Sequence, residues 1–433
     1  MSGLAIDTEF ETGPRLTSAS IAMQHRAMKR LYARHRLDVQ PRHLAFALCV
    51  LGSSDHDRSA ACVEGAWPAP GSALACYSVR SGFHLLLTAL DLPLGSEVLF
   101  SAVTHPDMPR IAVHHGLVPV PVDLAPETLA PGPAALARCI TPRSRLLVVA
   151  HLFGGHVHLA PLAAICRERG ILLVEDCAQS YQGPPDSGDG AALVSMFSFG
   201  ILKTATALGG AMLTVRDPDL RARMRSVQAC WPVQRHRAHL KRIAQAAAFV
   251  ALTRPLPYAM VEALARERFD ATVNSAARAF RPGSTAELIR RLELTPCAPL
   301  LLLMRRRLES FDHDRLLARA ASGDLLALLL PPGLHVGGDA WAHTHWLFPV
   351  ATDDVTGLIA AARAMGFDAA RSASSVQAIP APPDRPELEP VRALQIMSRL
   401  VFLPAYPELP PGSLARLATA LDKEERIDVH LAV

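Results

Sequence analysis

The sequence predicts an α/β fold, a mostly parallel sheet flanked by helices with a smaller C-terminal α/β domain behind it. Two observations carry that reading. From about residue 72, short apolar runs alternate with helical segments at βα spacing, and after an irregular basic block at 231–290 the same alternation resumes. The runs EVLFS (97–101), LVPVPVD (117–123), RLLVVAH (145–151) and ILLVED (171–176) read as buried strands. Pro106–His115, Pro133–Cys139 and Leu159–Gly170 read as the helices between them. Ala191–Phe199 and Ala211–Arg216 add two strands on either side of an apolar turn. Later come a strand at 345–351, a helix at 354–366 and a closing apolar run at 400–407. The chain divides into an N-terminal arm or cap (1–70), a large sheet domain (71–230), a basic helical insertion (231–290) and a small domain (291–433). Within the arm, Ile21–Leu37 reads as a basic helix.

Composition narrows the class. At 433 residues the chain exceeds one ordinary core. Half the residues are hydrophobic, 19% are charged and the mean hydropathy is +0.19, so a membrane span has to be weighed. The best candidate, 190–215, carries Lys203 in its middle and Gly209-Gly210 soon after, which argues against one. The first residues are acidic and lack a signal pattern, so the cytoplasm is expected, with peripheral contact at a membrane as the variant. The eight cysteines show no C-x-x-C spacing, which suits a reducing compartment and gives no metal site. A net charge of +4 is too small to imply nucleic acid. That charge is local: 216–269 holds eleven Lys and Arg against four Asp and Glu.

Only four lysines occur, at 29, 203, 241 and 423. Lys203 is the one charged residue between Asp189 and Arg216. Burial disfavours an ammonium, so a lysine there becomes a nucleophile near neutral pH, something arginine cannot supply. A lysine reaching out from a sheet edge is the plainer alternative. Asp176 ends an apolar strand, where a carboxylate needs either a helix to cap or a cationic ligand nitrogen. Ser81-Gly82 opens a helical run, either as a simple cap or as an anion cradle. Ser198 lies five residues before the lysine and can donate to a phosphate. His156-Val-His158 and His343-Thr-His345 read as loop histidines, and Leu300–Met304 with Arg305–Arg307 as a buried helix with a solvated end. An anion cradle, a buried Asp and an activated Lys together are the parts pyridoxal 5'-phosphate (PLP) requires.

The segment from about 76 to 228 resembles the DegT/StrS family of fold-type I PLP aminotransferases. The resemblance rests on Ser81-Gly82-Phe83-His84, Gly95-Ser96-Glu97-Val98, His151-Leu152-Phe153-Gly154, Glu175-Asp176-Cys177-Ala178-Gln179, and Gly188-Asp189 followed by Phe197-Ser198-Phe199 and Lys203. The closing FLPAYPELPPGSLARLATAL also looks like the family's C-terminal end. Ala207-Leu208-Gly209-Gly210 departs from the family's Gly-Glu-Gly-Gly.

What the resemblance implies is specific. Lys203 is the Schiff-base lysine and proton shuttle, and Asp176 partners the pyridine nitrogen. Gln179 lies near the ring's 3-oxygen, and Ser198 binds the phosphate. Gly82, Phe83 and His84 supply a backbone cradle, and His105 takes the place of the aromatic that stacks on the ring. The implied reaction moves an amino group from glutamate or glutamine to a keto or aldehyde acceptor, in a homodimer that shares its active site. A PLP decarboxylase or lyase, favoured by a histidine at position 105, and a non-catalytic regulatory relative remain as alternatives. The basic 216–269 stretch is either a solvated face or a docking surface for an acidic carrier protein or a membrane surface.

Overall fold

The computed structural model describes residues 30–265, 284–371 and 374–431, with side chains through residue 422. Seven strands form the main sheet: β1 (Ala73–Cys76), β2 (Glu97–Ser101), β3 (Val118–Val122), β4 (Ser144–Ala150), β5 (Leu172–Asp176), β6 (Val194–Ser198) and β7 (Ala211–Val215). Their order across the sheet is β1-β7-β6-β5-β4-β2-β3. β3, β2, β4, β5 and β6 run parallel, with pairs such as Leu99 with Leu147 and Val148 with Val174 fixing the register. Their near-continuous apolar sequence is what a sheet covered on both faces requires. β7 runs antiparallel to both its neighbours. The connection at 199–210 contains no crossover helix, so β7 returns beside β6 in the opposite sense.

Helices cover both faces: α1 (Pro41–Cys49), α2 (His56–Gly65), α3 (Val79–Leu90), α4 (Asp107–His114), α5 (Pro133–Cys139), α6 (Ala160–Arg169) and α7 (Pro218–Gln228). α3 sits so close to β7 that a Cβ on Gly82 would lie 2.7 Å from Leu213 Cδ1. The glycine therefore serves helix–strand packing.

The 231–290 block contributes α8 (His236–Leu252), α9 (Pro255–Ala265) and the start of α10 (Thr285–Leu292). α11 (Ala298–Glu309), α12 (His313–Leu329), α13 (Val355–Ala364), α14 (Val391–Arg399) and α15 (Ser413–Leu431) follow. α12, α13 and α15 pack with the antiparallel pair β8 (Phe348–Ala351) and β9 (Leu400–Leu403) around Leu326, Val350, Phe367, Val401 and Leu417, whereas α11 packs through Leu300, Leu303 and Met304 with α1 and α2. The fold is thus α/β, with a second, smaller α/β core beside the sheet.

Two expectations are corrected. Residues 30–37, the described part of the Ile21–Leu37 stretch, are extended; residues 21–29 lie outside the described residues. Tyr32 bridges Phe367, and the Leu31 and Tyr32 amides donate to Pro255 and Gly366, so pairing with the small core replaces helical bonds. Arg34 meets Asp368 through two hydrogen bonds of 2.6 and 2.9 Å, and Tyr258 donates to the same carboxylate at 2.6 Å. The α11 end is not wholly solvated either. Arg307 is buried, donating to the carbonyls of Thr206 (3.1 Å) and Asp38 (2.7 Å).

Candidate active site

The parallel strands end together at one edge of the sheet, where α/β folds place ligands. Asp176 ends β5 and Ser198 ends β6, and Lys203 sits in the loop that follows. Asp176 is 8% exposed and accepts one backbone N–H, from Ala178 at 3.0 Å. Burial pushes its carboxyl up, against the opposing pull of that hydrogen bond and of Lys203. A protonated ring nitrogen is the kind of partner such a carboxylate lacks. Lys203 is drawn down to about 8, by burial first and then by the like charge of Arg80, while Asp176 pulls the other way. Its Nζ lies 4.0 Å from the centroid of the Trp346 ring.

Trp346 arrives there through a close backbone crossing. The Thr344 and Leu347 amides donate to the Gly154 and Phe153 carbonyls, and Trp346 Nε1 donates to Leu202 O at 2.8 Å. Gly154 has φ +101°, and a Cβ on it would stand 2.5 Å from the Trp346 nitrogen. Only glycine permits that approach. Phe153 N in turn donates to Gln179 Oε1 at 2.9 Å, which turns the Gln179 amide nitrogen into the available donor.

Behind Asp176, Glu175 accepts from His151 (2.8 Å), Ser195 (2.6 Å) and the Asp189 amide (2.9 Å). Although burial opposes ionisation, these bonds hold its carboxyl down at about 2. His151, Glu175 and Cys177 cluster tightly enough for a metal, a grouping the sequence spacing did not suggest. Burial and the neighbouring carboxylates keep the Cys177 thiol protonated, and hydrogen bonds occupy both Glu175 oxygens, so we read the cluster as a brace for β5. His156 is taken up by the Ser180 carbonyl and Gln182.

The anion cradle moves. α3 starts at Val79 with Ser78 as its cap, and the cap hydroxyl accepts from Ser81 N at 3.1 Å. Gly82 N already donates to Ser78 O, and Phe83 and His84 lie deeper in the helix. Helical bonding consumes their amides, so the amides open to an anion are those of Val79 and Arg80. The Phe83 side chain packs on Phe100, and His84 turns to His115 (2.9 Å) and Trp231. Sequence reasoning placed the helix start three residues late. It also passed over Arg80, whose guanidinium pairs with Asp107 at 2.6 Å. His105 belongs to the same group, its Nδ1 accepting from Asp107 N at 3.2 Å. The residues present therefore fit a group carrying a protonated ring nitrogen, a lysine-reactive carbonyl and a phosphate.

A seven-stranded sheet with one antiparallel strand, and a lysine on the loop leading into that strand, define an α/β scaffold. Residues 70–244 match the family model of the DegT/DnrJ/EryC1/StrS aminotransferase family. GDP-perosamine synthase of Caulobacter vibrioides is 32% identical over 157 residues, covering 35% of this chain and 42% of that protein. The chain thus aligns with under half of that curated relative's length. Sugar aminotransferase CalS13 from Micromonospora echinospora superposes with a TM-score of 0.62 at 20% identity, covering 90% of this chain and 98% of that one. Bacillus subtilis NtdA, solved with bound PMP, gives a TM-score of 0.60 at 16% identity, covering 89% of this chain and 82% of that one. Both structures share the fold.

Proposed function

We propose that the protein is a PLP-dependent aminotransferase, taking an amino group from an amino acid such as glutamate or glutamine and passing it to a keto or aldehyde acceptor. One observation carries the reading: Lys203, drawn down to about 8, and the buried Asp176 act on each other at one strand edge, within the segment that matches the family. When bound, the cofactor supplies an electron sink and an aldehyde. Lys203 would hold it covalently and carry protons at the reacting carbon. Asp176 would keep the ring nitrogen protonated, with Gln179 donating to the ring oxygen and His105 covering one face. Ser198 and the Val79 and Arg80 amides would take the phosphate. Purified protein should be yellow, and borohydride reduction with peptide mapping should place the label on Lys203. A label on Lys29, Lys241 or Lys423, or no uptake of PLP, would refute the reading.

The same reading includes the four-part division of the chain, a cytoplasmic location and a homodimer with shared sites, which sedimentation would test. No helix among the described residues is long and apolar enough to cross a membrane. Docking of an acidic carrier protein or an anionic membrane surface through 216–269 now centres on Arg235, Arg237 and Lys241, which face solvent. Arg242 does not belong to that surface. It donates to Tyr77 Oη at 2.8 Å and to the Leu208 carbonyl at 3.3 Å, tying α8 to the Lys203 loop. Reversing the three exposed charges should raise the acceptor's KM at low salt only.

A further inference from the structure

The helices at 236–265 present an outer face that changes from basic to apolar along its length. Inward, α8 buries Ile243 and Ala246 in the core it shares with α1 and α11, and α9 buries Tyr258 against Leu31 and Ala33. Outward, the exposed positions 237, 241, 244, 248 and 251 of α8 fall three or four apart and form one stripe. The stripe begins with Arg237 and Lys241, beside Arg235, and continues as Ala244, Ala248 and Ala251 to Leu252, which is 49% exposed. On α9, Leu256, Met260 and Leu264 repeat every four residues and are 42%, 52% and 83% exposed. From Ile243 to Ala265 the only charges are Arg254, which faces solvent, and the half-buried Glu262.

A contiguous exposed apolar stripe rimmed by charge marks an interaction surface, and its two parts select the partner. A second copy docked about a two-fold axis would set the face against itself, cation against cation. An acidic protein would answer the cations at 235–241. Leu252, however, lies eleven residues beyond Lys241, about 16 Å along the helix, and the uncharged stripe runs on from there over α9. A bilayer with anionic headgroups answers both parts at once. Leu, Met and Ala side chains sink to the acyl boundary, the Arg and Lys groups stay with the phosphates, and the long stem of Arg254 lets its charge reach them too. The 17-residue α8 and 11-residue α9 are not apolar and long enough to cross, so such a seat involves one leaflet.

We propose that α8 and α9 seat the protein on the surface of a bilayer containing anionic phospholipid, an assignment that rests on the docking reading above and chooses the membrane over the carrier protein. The seat is tied to the catalytic cleft at two points. Arg242 joins α8 to Tyr77 and to Leu208 of the Lys203 loop, and Tyr258 joins α9 to Asp368, the partner of Arg34, which lines the cleft with Lys203. The lipid-facing surface and the cleft walls thus share their supports.

The test is co-sedimentation of the full-length protein with vesicles of phosphatidylcholine alone or mixed equally with phosphatidylglycerol. Wild type should bind the mixed vesicles and bind the neutral ones far more weakly. Replacing Leu256, Met260 and Leu264 by Gln should weaken binding to the mixed vesicles about tenfold or more, with Tm unchanged because all three side chains are exposed. Reversing Arg235, Arg237 and Lys241 to Glu should weaken it roughly 100-fold at low salt, and high salt should bring wild type towards the same level. Absence of binding, or equal binding by wild type and the Gln variant, would overturn the assignment. So would a Gln variant that sediments as a smaller species than wild type, which gives the face to a second copy, or capture of an acidic carrier protein by a chain that ignores vesicles. Vesicle binding needs no cofactor, which keeps the two readings apart. Face-dependent binding by a protein that never takes up PLP would support the seat and sink the aminotransferase reading, whereas a yellow protein labelled at Lys203 that ignores vesicles would do the reverse.

Discussion

The candidate site has two halves built on different principles. The sheet half, Asp176, Ser198 and Lys203, sits at the ends of consecutive strands, each residue within a few positions of the apolar run that places it. The covering half gathers Arg34, Arg319 and Trp346, which line the same cleft as Lys203, from segments far apart in the chain. In the first half, function is written into local pattern; in the second it depends on long-range pairing. The two halves should fail differently when mutated.

The largest effect belongs to the sheet half. Lys203→Ala should lower turnover by about 10^4-fold, the upper range for losing a positioned proton-transfer group, with little change in Tm. Turnover within tenfold of wild type would show that the lysine is not the reacting amine. The covering half should fail through stability instead. Asp368 has no exposed side-chain surface and accepts from both Arg34 and Tyr258. Asp368→Ala strands a buried guanidinium and should cost about 3–5 kcal/mol, read by denaturant unfolding. Replacing Arg34 and Asp368 together by Met and Leu should cost much less. If the single and the double variant unfold alike, the ion pair is not what anchors the N-terminal segment.

Asp176→Asn separates the halves further. Turnover should drop by roughly 10^2–10^3-fold, as for loss of a group that stabilises developing charge. The unliganded protein should melt no lower, because burial already penalises the Asp176 carboxylate. A large fall in Tm with turnover intact would make Asp176 a helix cap and nothing more.

That asymmetry also explains what could be read in advance. The strands at 97–101, 171–176 and 211–215 were legible because a sheet covered on both faces demands unbroken apolar runs. Lys203 was legible because it interrupts such a run. The α3 start was misjudged because Ser81-Gly82 resembles a cap, while the true cap, Ser78, precedes a β-branched Val and an Arg that carry no signal of their own. Residues 30–37 were misread because local basic periodicity says nothing of Asp368, more than 300 positions away, which answers Arg34. Arg319 and Trp346 look like ordinary residues of a helix and a loop. Only tertiary packing puts them beside Lys203.

The smallest prediction tests how far the two halves communicate at the lysine. The folded protein draws Lys203 down to about 8 from an ordinary 10.5, so the charged form is disfavoured by folding. Capture of the cofactor aldehyde requires the neutral amine. Its rate in the apoprotein should therefore rise about tenfold per pH unit below roughly 8 and level off above it. For stability the sign follows from proton counts. Between about 8 and 10.5 the unfolded chain binds the proton that the folded chain has lost, so this group makes the apoprotein more stable as pH rises through that window. Below 8 the full cost of the buried ammonium is present. Arg80→Gln removes a like charge and should move the capture midpoint up by less than a unit, whereas Asp176→Asn removes an attracting carboxylate and should move it down. A midpoint near 10 in wild type would mean that water reaches the amine freely, and that the Trp346 cover does not close over it as the geometry indicates.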